Sequence, residues 1–305
     1  MLDEQITSNK RRSTALIAGF IVLTVIVAFA LSLLFSNGGW VGMIVALVVA
    51  GGLAFVSYWK SDAVALAMSR AQPADPVTYK RLYNVVEGLC IAGGIPMPKI
   101  YVIDDVAPNA FATGRNPDHA AIAVTTGLLA MMNRVELEGV VAHELSHIRN
   151  YDILVSTLAV TMVGAIALVS DFGIRFLWWN GGRRGRDDRD GGNPAGFLLI
   201  LLGFFLLILA PIVAKLLQFA ISRRRESLAD MSGVALTRYP PGLISALEKL
   251  RDDTTVTHSA SRATAHLWIE QPVARVEAEG RMSRLNKLFD THPPLEERIA
   301  ALREI

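Results

Sequence analysis

Four long apolar runs constrain this chain more than any other feature of its sequence. The first two, Ala15–Phe35 and Trp40–Trp59, are separated only by a short turn that contains two glycines. The other two are Ile153–Leu177 and Phe197–Ala214. Runs of about 20 apolar residues are long enough to cross a bilayer as helices, and a backbone in lipid has to satisfy its own hydrogen bonds. We therefore expect an integral membrane protein with about four transmembrane helices.

The overall composition agrees with a chain that lies partly in lipid. Hydrophobic residues make up 52% of its 305 residues, which is high for a wholly soluble protein. A single cysteine, Cys90, excludes an intrachain disulfide and fits a reducing compartment. The net charge is only +2, and the basic residues cluster beside the apolar runs. This pattern favours membrane lipid as a partner and does not favour nucleic acid.

The charges that flank the runs predict a topology. Basic residues Lys10–Arg12 precede the first run and Lys60 follows the second, so the positive-inside rule places both flanks in the cytoplasm. The polar loop 180–194 contains four arginines, which opposes full spanning by the third and fourth runs. Lys215 and Arg223–Arg225, which follow the fourth run, favour full spanning. We expect both runs to span, and a shallow hairpin is the alternative.

The segments outside the runs predict a mostly helical α+β domain. Helical spacing of apolar residues over Val77–Ala92 predicts a helix, and short β-rich stretches predict strands. The strands are expected at Lys99–Ile103, Ala107–Gly114 and Ala120–Thr125. The predicted organisation is a cytoplasmic tail (1–14), a transmembrane hairpin (15–59), the first part of a soluble domain (60–152), a second hydrophobic hairpin (153–214) and the second part of that domain (215–305).

The segment 135–152, VELEGVVAHELSHIRNYD, contains the pattern H-E-x-x-H at His143, Glu144 and His147. On a helix that opens near Asn133, the two imidazoles lie one turn apart on the same face and can reach one metal ion, for which zinc is the expected choice. Glu144 would lie near the open coordination position, where a water molecule needs a general base. The alternative is a chance match on an ordinary amphipathic helix.

A catalytic zinc site normally has a third protein ligand, and Glu226 is the candidate. It lies in SRRRESLAD, where Asp230 follows four residues later on the same helical face. In this interpretation Glu226 binds the metal and Asp230 accepts a hydrogen bond from a ligand imidazole. The alternative is an exposed helix on which both acids pair with Arg223–Arg225.

Taken together, the motifs identify a family resemblance. The chain resembles the HtpX-type membrane zinc metalloproteases, which are relatives of the CAAX prenyl endopeptidases. The resemblance covers nearly the whole chain and rests on six motifs in the order of the family. They are PNAFATG (108–114), AVTTGLL (123–129), HELSHIRNYD (143–152), RRRESLAD (223–230), ATAHLWI (263–269) and THPPLEERI (291–299).

The resemblance implies a zincin-like catalytic domain that faces the cytoplasm, with one zinc ion per chain. It makes His143, His147 and Glu226 the metal ligands and Glu144 the catalytic acid and base, in agreement with the residue-based interpretation. The expected activity is that of a zinc metalloendopeptidase on membrane or misfolded proteins in a bacterial inner membrane. A role in protein quality control and the stress response is suggested by the resemblance alone.

The resemblance also implies four further site residues. Asn109 and Ala110 would offer hydrogen bonds to a substrate that lies as an added strand, although the residues alone favour a turn. His292 would donate to the oxyanion of the tetrahedral intermediate, with Arg298 supporting it. The residues alone are equally compatible with a helix start at His292 and a surface ion pair at Arg298.

Three other functions remain as alternatives. An intramembrane protease would place the metal motif within an apolar run, whereas charged residues flank this one. A membrane-embedded binding or scaffold protein could contain a structural or vestigial metal site, but a structural site needs no base at Glu144. A transporter is disfavoured because, beyond Asp171, the apolar runs contain almost no ionisable residues.

Overall fold

The computed structural model describes scattered positions between 7 and 25 and then residues 40–158, 160, 223–259, 264, 267–269 and 293–305. The fourth apolar run and the loop 180–194 lie outside these residues, as do most of the first run and most of the third. Among the helices of the described residues, none combines the length and hydropathy that crossing a bilayer requires. The four transmembrane helices therefore stay a prediction.

The described residues form an α+β arrangement that is mostly helical, as the sequence predicts. Its helices are α1 (Trp40–Met68), α2 (Lys80–Gly93), α3 (Thr126–Met131), α4 (Arg134–Arg149), α5 (Arg223–Thr237), α6 (Pro240–Asp252) and α7 (Leu295–Arg303). Its strands are β1 (Gln72–Pro73), β2 (Lys99–Ile103), β3 (Ala110–Gly114) and β4 (Ala120–Thr125). A short 3-10 helix, Pro117–His119, joins β3 to β4, and residues 152–158 are also helical.

The strands form one small mixed sheet in the order β1-β2-β4-β3. Strands β2 and β4 are parallel, with Lys99 opposite Ala121, whereas β3 runs antiparallel to β4, with Ala110 opposite Val124. The bounds of β2 and β4 match the sequence prediction. Strand β1 was not predicted, because a two-residue stretch that ends in proline is typical of a linker. It pairs with β2 at the sheet edge, where proline is tolerated.

Helix α2 begins three residues later than its apolar spacing predicts. Asp75 accepts hydrogen bonds from the backbone amide and the hydroxyl of Thr78, at 2.7 and 2.5 Å. These bonds stabilise a turn over 76–79 in place of the first helical turn. Gly94 ends the helix in the left-handed conformation, which glycine adopts without a side-chain clash.

Helix α4 begins with two reciprocal hydrogen bonds between Asn133 and Glu136. The Asn133 side chain accepts from the Glu136 amide at 3.0 Å, and the Glu136 carboxylate accepts from the Asn133 amide at 2.8 Å. Glu136 also accepts from Ser245 and Lys249 of α6, each at 2.7 Å. The predicted opening near Asn133 is therefore confirmed, and the same carboxylate ties α4 to α6.

Helix α4 lies at the centre of the helical layer, between α5, α6 and strand β3. Two glycines permit its close packing. A Cβ on Gly139 would lie 2.7 Å from the Leu243 amide nitrogen of α6, and a Cβ on Gly233 of α5 would lie 3.0 Å from the His143 amide nitrogen. The second approach brings α5 directly against the residue that opens the metal motif.

Candidate metal centre

Helices α4 and α5 position the three predicted metal ligands. His143 and His147 lie one turn apart on α4, and Glu226 lies in the first turn of α5. The Nε2 atoms of the two histidines are 3.2 Å apart. Glu226 places one carboxylate oxygen 3.7 Å from Nε2 of His143 and the other 3.6 Å from Nε2 of His147. The geometry thus brings together residues that are far apart in the sequence.

The donor set fits a tetrahedral metal ion. In a zinc site with Zn–N bonds of about 2.0–2.1 Å, two imidazole nitrogens lie about 3.3 Å apart, close to the separation found here. His143, His147 and Glu226 each offer one ligand atom, and these three atoms lie within 4.8 Å of one another. Two imidazoles and one carboxylate are typical of catalytic zinc sites that keep a fourth position open.

A carboxylate fixes the orientation of each imidazole. Nδ1 of His143 lies 2.9 Å from Asp230, and Nδ1 of His147 lies 3.1 Å from Asp152. An Nδ1–H that donates to a carboxylate leaves the lone pair on Nε2, which is the atom that faces the other ligands. Both imidazoles are therefore held in the tautomer that can bind a cation.

An arginine accompanies each of the two carboxylates. Arg298 of α7 donates from Nε and Nη2 to Asp230 at 2.9 and 2.7 Å, and all three of Arg298, Asp230 and His143 are buried. Nη1 of Arg225 lies 3.8 Å from Asp152. Each ligand histidine is thus contacted by an aspartate, and each aspartate by an arginine. The contacts are closer for Arg298 and Asp230 than for Arg225 and Asp152.

The buried charges shift the pKa values of these groups. Burial acts to lower the pKa of His147, but the carboxylates of Glu226 and Asp152 outweigh it and raise that pKa to about 9 in the metal-free chain. Burial acts to raise the pKa of Asp230, yet Arg298 and His143 hold it well below its usual value. The carboxylates around His147 therefore favour a positive charge at the position that the ligands face.

Glu144 is buried beside this centre, as its place in the motif predicts. Its side chain is 2% exposed, and its charge acts on both His147 and Arg298. The Glu144 carboxylate is close enough to interact electrostatically with the ligands, but it is not one of the three groups that could hold the metal. The arrangement can supply a base next to a metal ion.

The predicted substrate residues lie at the start of the edge strand β3. Asn109 is 1% exposed and Ala110 is fully buried. The Asn109 side chain accepts from the Ala110 amide at 3.1 Å and donates to Thr257 at 3.4 Å. The carbonyl of Ala110 accepts from the Ile269 amide at 2.9 Å. Both residues are engaged by the protein itself.

The structure describes two of the four remaining histidines. His119 and His258 are exposed and lie outside the centre. His292 and His266 lie outside the described residues, so the role of His292 stays a prediction. Arg298 is 3% exposed and lies 3.4 Å from Nδ1 of His143, which places it inside the centre and not at a surface ion pair.

Asp152 and Arg225 are two residues of the centre that were not predicted from the sequence. Asp152 follows His147 by five residues, beyond the end of α4, and Tyr151 interrupts the helical backbone with a positive φ of 58°. Helical spacing therefore gave no signal for it. Arg225 directly precedes Glu226, but the run of three arginines suggested contact with lipid headgroups. Asp152 could have been predicted from its place just after the motif, because imidazoles that bind a metal regularly donate to a carboxylate.

Comparisons with known proteins place this centre in a family. The model of peptidase family M48 matches residues 76–305. A protease HtpX homolog of Lactobacillus helveticus is 44% identical over 308 residues, with all of both chains covered. A protease HtpX homolog of Streptococcus uberis is 42% identical over 305 residues, again with full coverage of both.

Two further similarities extend the comparison. A protease HtpX homolog of Caldanaerobacter subterraneus is 46% identical over 290 residues, which cover 94% of this chain and 93% of the relative. Among solved structures, the crystal structure of S. mikatae Ste24p is similar at 18% identity and a TM-score of 0.49. That similarity covers 98% of this chain and 66% of the other. The sequence matches show that the chain belongs to peptidase family M48, a family of metallopeptidases.

Proposed function

We propose that this protein is a membrane-bound zinc metalloendopeptidase. Its substrates are membrane or misfolded proteins, cut at the cytoplasmic face of the bacterial inner membrane as part of protein quality control. The observation that carries the proposal is the convergence of His143, His147 and Glu226 next to the buried Glu144. Membership of a metallopeptidase family supports the same conclusion.

In this proposal His143, His147 and Glu226 hold the zinc ion. A zinc ion bound there would act as a Lewis acid on the scissile carbonyl and on a water molecule. Glu144 takes a proton from the attacking water and delivers it to the nitrogen of the leaving amine. No covalent acyl-enzyme is needed, so the buried Cys90 has no part in the reaction.

Asp230 and Asp152 act as positioning residues in the proposed reaction. Each keeps an Nδ1–H on its histidine, so the Nε2 lone pairs stay directed at the metal position. Arg298 holds Asp230 in place through two hydrogen bonds. The family resemblance adds His292 as a donor to the oxyanion, with Arg298 as its support, and this role is part of the proposal.

Asn109 and Ala110 are the proposed contacts for the substrate backbone. Strand β3 lies at the edge of the sheet, and α4 packs against it. An extended peptide that pairs with an edge strand places successive residues along one line. A substrate held along β3 would therefore run past the helix that contains the metal motif.

The proposed membrane location rests on the apolar runs and on the chain path near the centre. Asp152, which contacts His147, begins the helical residues 152–158, and Ile153 opens the third apolar run. The metal centre would then lie close to the membrane surface. Proteins with unfolded cytoplasmic segments next to the bilayer would be the best-placed substrates. Equal cleavage of one sequence in solution and tethered to vesicles would contradict this placement.

The experiment that tests the activity compares wild type with Glu144→Gln in detergent. Both are stripped of metal, resupplied with zinc and incubated with an unfolded test protein. We expect cleavage by wild type only, with equal zinc content in both proteins. Equal cleavage by both would assign the activity to a contaminant. Zinc binding without cleavage by either would favour a scaffold protein with a structural metal site.

A further inference from the structure

Strand β3 is an edge strand that is nonetheless covered. It pairs only with β4 within the described sheet, and yet all five of its residues are buried. An edge strand that binds extended peptides needs free backbone groups along its outer side. The covering residues therefore decide whether a substrate can reach this edge.

The outward backbone groups of β3 can be identified from its pairing. On the β4 side, the Asn109 carbonyl accepts from the Thr125 amide, and the Asn109 amide donates to the Thr125 hydroxyl. Since backbone groups alternate along an antiparallel strand, Ala110 and Gly114 direct theirs away from β4. The Ala110 carbonyl accepts from the Ile269 amide at 2.9 Å, and the Gly114 amide donates to Thr157 at 3.2 Å. Both ends of the outer side are thus occupied by the protein itself.

Residues Leu267–Ile269, which we call the strap, provide the contact at Ala110. Trp268 is fully buried, and its ring packs edge-on against Phe111 of β3 with centroids 4.8 Å apart. Leu267 and Ile269 are also buried. Residues 267–269 form a turn, closed by a hydrogen bond from the Leu267 amide to the Thr264 carbonyl, that combines one backbone hydrogen bond to the strand with a side chain packed on it.

The strap also reaches the metal centre. The Ile269 carbonyl accepts from Nη1 of Arg298 at 3.4 Å. The same guanidinium holds Asp230, which contacts His143. The two backbone groups of Ile269 therefore connect the proposed substrate strand to the arginine of the centre. A substrate on β3 would need the space that Ile269 fills.

We propose that the strap occupies the β3 edge in the resting protein as an internal stand-in for substrate, and that it has to leave before a polypeptide can bind. This inference rests on the proposed peptidase function. It makes Leu267–Ile269 an autoinhibitory contact. Only a segment that is extended and free to pair with β3 displaces it, which restricts cleavage to unfolded chains.

Two features make the strap displaceable. Its backbone link to the strand in the described structure is the single bond between Ile269 and Ala110. In addition, the buried Nε1–H of Trp268 has no hydrogen-bond partner among the described residues. A buried donor without an acceptor is destabilising, and it regains a partner in water when the strap leaves. The polar contacts that hold the closed position are therefore few, and most of its stability comes from the burial of its three side chains.

The first test removes the backbone donor of the strap. Ile269→Pro cannot donate to Ala110, whereas Ile269→Val keeps the amide and serves as the control. A lost backbone bond shifts the closed-to-open equilibrium about fivefold, and the apparent affinity for substrate rises with the open fraction. We expect the KM for an unfolded protein to fall about fivefold in Ile269→Pro with kcat unchanged, and the control to follow wild type.

The outcomes separate the strap from the peptidase function. An inactive wild type in this assay overturns the proposed function. The proposed role of the strap is overturned if wild type is active and Ile269→Pro, folded and able to bind zinc, has an unchanged or higher KM.

A second measurement decides the question if Ile269→Pro fails to fold. Hydrogen exchange at the Ile269 amide is followed in Glu144→Gln, with and without an unfolded protein. Displacement of the strap predicts faster exchange at Ile269 when the unfolded protein is bound. Exchange that stays the same at saturating unfolded protein would assign the strap to the permanent core.

Discussion

Asp152 accepts a hydrogen bond from Nδ1 of His147 at 3.1 Å, although it lies beyond the end of the helix that contains this histidine. Between the two residues, the helix is interrupted at Tyr151, whose φ is 58°. It gives His147 the same kind of partner that Asp230 gives His143. The metal position is thus supported by carboxylates on two separate segments.

Replacement of Asp152 tests this support. We expect Asp152→Ala to weaken zinc binding about 10- to 100-fold, because His147 loses the partner that fixes its tautomer. Asp152→Asn keeps an acceptor oxygen and should recover part of the affinity. The measurement is chelator competition on the purified protein, combined with the visible spectrum of the cobalt-substituted form. Wild-type affinity and spectrum in Asp152→Ala would show that His147 is positioned by other contacts.

Gly233 and Gly139 offer a matched pair of tests for the packing of α4. A Cβ on either would press on backbone atoms, those of His143 for Gly233 and those of Leu243 for Gly139. We expect both alanine variants to unfold at lower temperature, with costs of about 1–3 kcal/mol. Only Gly233→Ala should also weaken zinc binding, since it moves α5 and Glu226 away from His143. Equal zinc affinity in the two variants would contradict this division.

Glu136 predicts a pH-dependent contribution to stability. Burial acts to raise its pKa, but hydrogen bonds from Lys249, Ser245 and the Asn133 amide outweigh this and lower it below the ordinary 4.5. A carboxyl with a lowered folded pKa stabilises the protein above its unfolded pKa and loses that contribution as the pH falls through the folded pKa.

Glu136→Gln should therefore lower the unfolding temperature most at neutral pH, by the equivalent of about 1–2 kcal/mol. The difference from wild type should shrink below about pH 4.5, where the carboxyl of the unfolded chain becomes protonated. Thermal unfolding of both proteins from pH 3.5 to 7.5 provides the measurement. A difference that is constant over this range would show that the ionised carboxylate is not what joins α4 to α6.

Cys90 should resist alkylation in the folded protein. Burial, with a smaller contribution from Glu87, raises the pKa of its thiol to about 11, so little thiolate exists at pH 8. We expect iodoacetamide to leave Cys90 unmodified in the native state and to modify it fully in denaturant, as read by mass spectrometry. Rapid native modification would mean that the α2 helix opens locally.

The sequence predicted the elements whose signals are local. The bounds of β2 and β4 follow from short β-rich stretches, and the start of α4 follows from the pairing of Asn133 with Glu136. His143, His147 and Glu226 were predicted because the metal chemistry requires a third ligand. The structure brings these three side chains together.

The parts that the sequence did not predict depend on contacts between distant segments. Asp152 reaches His147 only after a left-handed turn, and Pro73 joins the sheet only because β2 leaves an edge open. The strap contains a short apolar stretch with no periodicity of its own. Its conformation is set by Ala110 and Arg298, which lie far away in the sequence.

The order of the ligands along the chain has a consequence for biosynthesis. Helix α4 with its two histidines is translated first, and Glu226 follows only after the whole 153–222 stretch has been made. A nascent chain that ends before α5 therefore holds an incomplete donor set and binds the metal weakly. Under the proposed ligand set, peptidase activity arises only after residues 153–226 have been translated, so an unfinished molecule cannot cut its neighbours.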